Sequence, residues 1–193
     1  MKQDIECVLE SILFASGEPV SVGRISSALA VSEEDVLAAA SSLAEKLSEG
    51  GRGIRLLRLD DKLQLCSAPE YSDFIRVALE TRKPPRLTQP ALEVLSIVAY
   101  FQPVTRAYIE KIRGVDSSYT VSSLVDKGLI EQCGQLDAPG RPSLFKTTSA
   151  FLRTFGLESL DGLPVLPNGG ESEDVIRLEK NIDQFSAELS AEE

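Results

Sequence analysis

The chain contains itself twice. Residues 12–21, Ile-Leu-Phe-Ala-Ser-Gly-Glu-Pro-Val-Ser, lie over residues 96–105, Ser-Ile-Val-Ala-Tyr-Phe-Gln-Pro-Val-Thr, at an ungapped offset of 84. Ala15 meets Ala99, Pro19 meets Pro103, Val20 meets Val104 and Ser21 meets Thr105. Further on, Ile25 meets Ile109, Val31 meets Val115 and Ser32 meets Asp116. Each pair plays one physical role twice: apolar helix, Pro-bearing turn, hydroxyl N-cap, short helix, β-branched turn residue and second cap. A solenoid needs more and shorter repeats, so a period of this length means two similar domains.

The first half spells out its elements. Ile5, Val8, Leu9, Ile12 and Leu13 follow the i, i+3, i+4 spacing of an amphipathic helix. Gly17-Glu-Pro-Val stops it, and Ser21 caps a short helix reaching Leu29. Ser32 with Asp35 three residues on resembles a capping box, opening a helix with an apolar stripe at Val36, Leu37, Ala40, Leu43, Ala44 and Leu47. Gly50-Gly51 ends that helix. Residues 54–59 and 62–66 read as strands around the Asp60-Asp61 turn, and Pro69 starts a helix to about Leu79.

The second half repeats the order. Thr88 and Pro90 open a helix that is apolar on nearly every side from Leu92 to Phe101. Thr105 caps a helix to Arg113. Asp116 is expected to cap a helix to Lys127, with Val121, Leu124 and Val125 inward. Gly128 ends it. Residues 129–133 and 143–147 read as strands, and Ser149 is expected to cap a last helix over 150–155. Helix, helix-turn-helix and two-stranded hairpin make a winged helix. The expected fold is mainly α with small β-hairpins, as two tandem winged-helix domains: 1–80, a linker at 81–88, 89–160, and an acidic, flexible tail at 161–193.

Composition then excludes whole classes of chemistry. The 193 residues include no His, which removes Ser-His-Asp and Cys-His centres and His-liganded zinc. Cys7, Cys66 and Cys133 lie far apart with no CxxC pair, and their apolar settings suggest inert core thiols. Asp60-Asp61 sits where turns favour Asp for conformational reasons, and no Walker-type loop occurs. No enzyme, metal site or cofactor is expected. Acids within the first apolar stretch argue against a signal peptide, and no apolar run approaches a membrane span, so the expected setting is cytoplasmic. The formal charge of −10 is uneven: residues 166–193 hold eight acids against two bases.

The second half also carries a dense, ordered set of motifs. They are Leu92-Glu-Val-Leu-Ser-Ile-Val-Ala-Tyr100, Gln102-Pro-Val-Thr-Arg106, Ile112-Arg-Gly-Val-Asp116, Gly128-Leu-Ile130, Pro139-Gly-Arg-Pro142, Thr147-Thr148 and Phe151-Leu followed by Phe155-Gly-Leu157. In this order they resemble the ScpB family, the segregation and condensation protein B of bacteria, over residues 4–166. Phe101, Gln135 and Phe145 depart from the residues common there, Lys, Arg and Tyr. The resemblance implies a non-enzymatic subunit of the condensin-like SMC complex, nucleoid-associated, acting in chromosome condensation and segregation. It implies a homodimer through the first winged helix. It implies that the second binds the kleisin ScpA and, through it, SMC.

Candidate contacts follow from residues too apolar for their helices. Val8, Leu13 and Phe14 cannot all face one side. Ile5, Val8, Leu9, Ile12 and Phe14 are therefore the candidate dimer contacts. Val94, Ile97, Val98 and Phe101 leave no clean polar face. With Tyr108 and Tyr119, whose rings carry polar tips, they are the candidate kleisin contacts. Gly140 and Arg141 are a candidate contact loop, weighed against Arg141 pairing with an acid of its own domain.

The competing reading is an acidic winged-helix transcription regulator, which needs a basic recognition helix and wing. Residues 117–127 hold one acid and one base, and the matching first-half helix opens Glu33-Glu34-Asp35. Such a helix end repels phosphate. Arg82, Lys83 and Arg86 at the linker form the main basic cluster, and weak backbone contact with DNA is the most they suggest. Protein contact is the favoured use of the fold.

Overall fold

The computed structural model describes residues 5–80 and 86–165. The first unit runs α1 (Ile5–Ser16), β1 (Val20–Ser21), α2 (Val22–Leu29), α3 (Glu33–Glu49), β2 (Ile54–Leu59), β3 (Lys62–Ser67), a 3-10 turn (Pro69–Tyr71) and α4 (Ser72–Ala78). The second runs α5 (Gln89–Phe101), β4 (Val104–Thr105), α6 (Arg106–Arg113), α7 (Ser118–Asp126), β5 (Ile130–Gln135), β6 (Ser143–Thr147) and α8 (Ser149–Phe155). The expected tandem winged helix is the fold found. Linker residues Arg82, Lys83 and Pro84-Pro85, and residues 166–193 of the tail expected from 161, lie outside the described residues; the start of that tail is corrected, since Leu163 packs on the second core and the Pro164 carbonyl accepts the Tyr100 hydroxyl.

The duplication holds to the residue through the helix-turn-helix. β1 and β4, and α2 and α6, are displaced by the same 84 positions as the sequence match. Ser21 accepts from the Arg24 N–H, and Thr105 accepts from the Tyr108 N–H. The helices end on left-handed residues at equivalent places, Ala30 (φ 54°) and Gly114 (φ 71°). Sheet order matches too, β1-β3-β2 and β4-β6-β5, all antiparallel. The two-residue strands β1 and β4 were not expected. They pair Val20 with Leu63 and Val104 with Phe145, a long-range pairing with no local signal.

Each unit buries its own apolar stripe. Leu9, Leu13, Ile25, Val36, Ala40, Leu43 and Leu63 close the first core. Val94, Val98, Ile109, Val121, Leu124, Ile130 and Phe151 close the second. Burying each large side chain contributes about 1.5–3 kcal/mol. Leu59 belongs with the second core although its strand belongs to the first unit.

Local chemistry adjusts several expectations. The Ser32–Asp35 capping box forms, with each side chain taking the other's backbone N–H. The cap of α7 is Ser117 rather than Asp116. The Asp116 carboxylate still accepts the Ser118 N–H at 2.8 Å, so it satisfies a first-turn donor from one residue further out. Likewise Thr148, not Ser149, caps α8, accepting from the Phe151 N–H. Val125 faces water instead of the core, because Val121 and Leu124 already fill the inward stripe. The thiols are not core groups either: Cys7 and Cys133 are exposed and Cys66 is half-buried. Apolar neighbours in sequence had suggested burial, but strand alternation and helix rotation turn these positions outward.

Candidate partner-binding surfaces

On α1 the helical period separates core from surface. Leu9 is fully buried within the first unit and has no surface to offer a partner. Its neighbours Ile5, Val8 and Ile12 are half-buried, and Ile12 packs on the edge of the same core. Phe14 stands out with 79 % of its surface in water. Of the five expected dimer contacts, four therefore retain exposed area, with Phe14 foremost.

A second apolar surface in this unit lies on the helix expected after Pro69. α4 packs on the 3-10 turn before it and leaves Phe74 at 75 %, Val77 at 76 % and neighbouring Leu79 at 67 % exposed. Tyr71 beside it is also exposed, near Gly53. The signal was in the sequence: Phe74 and Val77 share one helical face with no core left for them, since α1, α2, α3 and the hairpin already enclose it.

In the second unit the all-round apolar α5 is mostly core. Val94 and Val98 are fully buried and Ile97 nearly so, among α6, α7 and β6. The expectation that these three meet a kleisin is corrected: their own domain consumes them. Phe101 is half-buried and stands edge-on to Tyr108, ring centres 6.1 Å apart. Tyr100 donates its hydroxyl hydrogen to the Pro164 carbonyl at 2.6 Å. Tyr119 is the expected contact that projects freely, 86 % exposed at the start of α7. Ile112 and Val115, exposed at the corner between α6 and α7, were not anticipated.

That corner is held rigid by a polar network. Arg113 donates to Ser117 Oγ at 2.7 Å and to Glu93 Oε2 on α5 at 3.1 Å. Glu110 Oε1 accepts the Ser117 N–H at 3.2 Å. The Ser118 N–H and hydroxyl bonded to Asp116 hold its carboxyl below the ordinary value. At the end of α6 the Arg113 charge also suits the helix C-terminus. Its longer reach to Glu93 depends on how α5 and α6 pack, which sequence spacing does not state.

The loop between β5 and β6 also has structure. Gly140 takes a left-handed conformation (φ 87°) and Arg141 follows it (φ 40°), with the Arg141 N–H donating to the Ala138 carbonyl at 2.8 Å. The Arg141 guanidinium makes no ion pair among the described residues. At the bulged strand opposite, desolvation pushes the Cys133 thiol up.

Two concave regions of the described residues lack the electrostatics of a nucleic-acid groove. A groove of about 450 Å³ between α6, α7 and β6 carries Arg106 against Glu110 and Asp126. A cleft of similar size between the units mixes Lys62, Lys146 and Arg153 with Glu18, Asp60, Asp61 and Glu131. The first turn of α3 presents Glu33, Glu34 and Asp35. Phosphate contact needs a basic face, and these faces are mixed or acidic. Among the described residues no cluster of three metal-ligating side chains occurs, and no helix is long and apolar enough to cross a membrane.

Known proteins match this chain over most of its length. A family model described as "Segregation and condensation complex subunit ScpB" matches residues 7–166. A "Segregation and condensation protein B" of Ruminiclostridium cellulolyticum is 39 % identical over 184 residues, covering 95 % of this chain and 96 % of the relative. One from Agathobacter rectalis is 46 % identical over 163 residues, covering 83 % and 87 %. A crystal structure described as a dimer of ScpB N-terminal domain complexed with ScpA peptide is 27 % identical, covers 38 % of this chain and 91 % of that one, and has a TM-score of 0.36. On the family model and the two full-length relatives, the chain belongs to the ScpB family, subunits of the segregation and condensation complex.

Proposed function

We propose that this chain is a non-enzymatic adaptor that dimerises through its first winged helix and binds the kleisin ScpA through its second. In this reading it joins SMC through ScpA and works at the nucleoid in the cytoplasm. The observation that carries the reading is the set of large apolar side chains left in water on helices: Phe14, Phe74 and Val77 in the first unit, Ile112 and Tyr119 in the second. Contiguous exposed apolar area is uncommon on monomers and marks partner sites. Aromatic residues with this exposure are the usual anchors of protein interfaces.

The division of labour is part of the proposal. Phe14 on the outer face of α1, the half-buried Ile5, Val8 and Ile12 on its other side, and the face of α4 form the dimer side. Tyr119 with Ile112, Phe101 and Tyr108 forms the kleisin side, with Gly140 and Arg141 at its margin. An apolar helix of the kleisin laid on such a surface is the expected mode. The domain boundaries 1–80 and 89–160 belong to the same reading. A pull-down of purified ScpA by this chain tests it, with Tyr119→Asp in parallel. Retention by the parent and loss by the variant supports the assignment; equal retention by both refutes the place given to Tyr119.

A further inference from the structure

In a free-standing winged helix the hairpin tip lies in water. Here the hairpin of the first unit is built into the second. Leu59, the last residue of β2, is only 1 % exposed and sits in the core of the second unit. Leu57, two residues earlier and thus on the same strand face, packs against that core as well. At the tip Asp60 takes a left-handed backbone (φ 60°) and donates its N–H to the Glu158 carbonyl, just past α8, at 2.6 Å. Gln64 on β3 is buried and divides its amide between the units. Its Nε2 donates to the Gly17 carbonyl at 3.0 Å, and its Oε1 accepts from Arg153 Nη1 of α8 at 3.0 Å.

We infer that the β2–β3 hairpin is an inter-domain clamp that holds the two winged helices as one rigid body. Three kinds of attachment act together. Leu57 and Leu59 supply apolar area, the Asp60 N–H supplies a main-chain bond, and Gln64 supplies a buried amide whose two partners lie on opposite sides. Swinging the units apart exposes the leucines and strips Gln64 of one partner, so intermediate angles are disfavoured. The clamp also occupies the element with which a winged helix reaches nucleic acid, so the first wing is closed to DNA. A fixed angle sets the direction in which the surfaces of the two units face.

Pulsed dipolar spectroscopy on the full chain tests this. Cys7, Cys66 and Cys133 are replaced by Ser, spin labels are placed at Ser41→Cys on α3 and Ser122→Cys on α7, and labelled protein is diluted with unlabelled chain. One narrow distance is expected. Arg153→Ala, a surface change that leaves both cores intact, is expected to broaden it, and Leu59→Ser to add a second, longer population. A broad or multiple distribution in the parent chain overturns the inference. So does a distribution unchanged in Arg153→Ala and in Leu59→Ser. If Leu59→Ser fails to fold, the parent and Arg153→Ala decide alone.

Discussion

Arg113 reaches back from the end of α6 to Glu93 on α5, 3.1 Å away, with only 9 % of its side chain exposed. The same guanidinium holds Ser117 at the start of the next helix. One planar group thus fixes three helices around the corner that displays Ile112, Val115 and Tyr119. Arg113→Ala is expected to cost about 1.5–3 kcal/mol, the range for hydrogen bonds to charged groups. Arg113→Lys is expected to recover only part, since an ammonium cannot serve both partners in one plane. Urea midpoints of the two variants check this.

The duplication supplies a matched pair of backbone tests. Ala30 and Gly114 are equivalent, both left-handed, and only one is glycine. An L-residue there costs about 1–2 kcal/mol, against about 0.4–1 kcal/mol of extra chain entropy for glycine in the unfolded state. Ala30→Gly is therefore expected to stabilise by roughly 0.5–1 kcal/mol and Gly114→Ala to destabilise by a similar amount. Thermal melts of the two single variants should move in opposite directions.

Asp116 provides a pH dependence. Its carboxyl is lowered, first by the Ser118 backbone N–H and then by the Ser118 hydroxyl. A depressed folded value means the ionised form is favoured in the folded state. The contribution is present above the ordinary aspartate range and is lost as pH falls through the lowered value. Asp116→Asn keeps an acceptor but cannot titrate. The stability gap between parent and variant should be widest near neutral pH and close toward acid. A gap that widens on acidification contradicts the assignment.

Phe74 and Val77 test the proposed dimer side. Both already face water, so Phe74→Glu with Val77→Glu is expected to leave the fold's stability within about 0.5 kcal/mol per site. The far-UV spectrum should not change, while the mass by light scattering should fall to that of one chain. A double variant that keeps the parental mass removes α4 from the interface.

Much of this fold was legible because its signals are local. Hydroxyl caps at Ser21, Ser32, Thr88 and Thr105, the glycine stops and the 84-residue offset all act within a few positions of themselves. Caps slipped by one at Ser117 and Thr148, where adjacent hydroxyl or acidic residues compete for the same donors. Long-range facts were not legible. Nothing in the spacing of Val94 and Val98 says that α6, α7 and β6 would absorb them, and nothing in residues 54–59 says that Leu59 ends in the other unit's core. Candidate contacts suffered the same way. Excess apolarity showed that a surface exists, but Phe74 and Val77 emerged only once the first core was seen to close without them.

In the proposed function this chain works by joining proteins and not by reading DNA. Multi-angle light scattering on a size-exclusion column tests it most directly, run on the chain alone, with ScpA, and with duplex DNA at physiological salt. Twice the mass of one chain is expected for the protein alone, a heavier co-eluting species with ScpA, and no shift with DNA. A single-chain mass that ScpA leaves unchanged, or a stable complex with DNA, would contradict the proposed function.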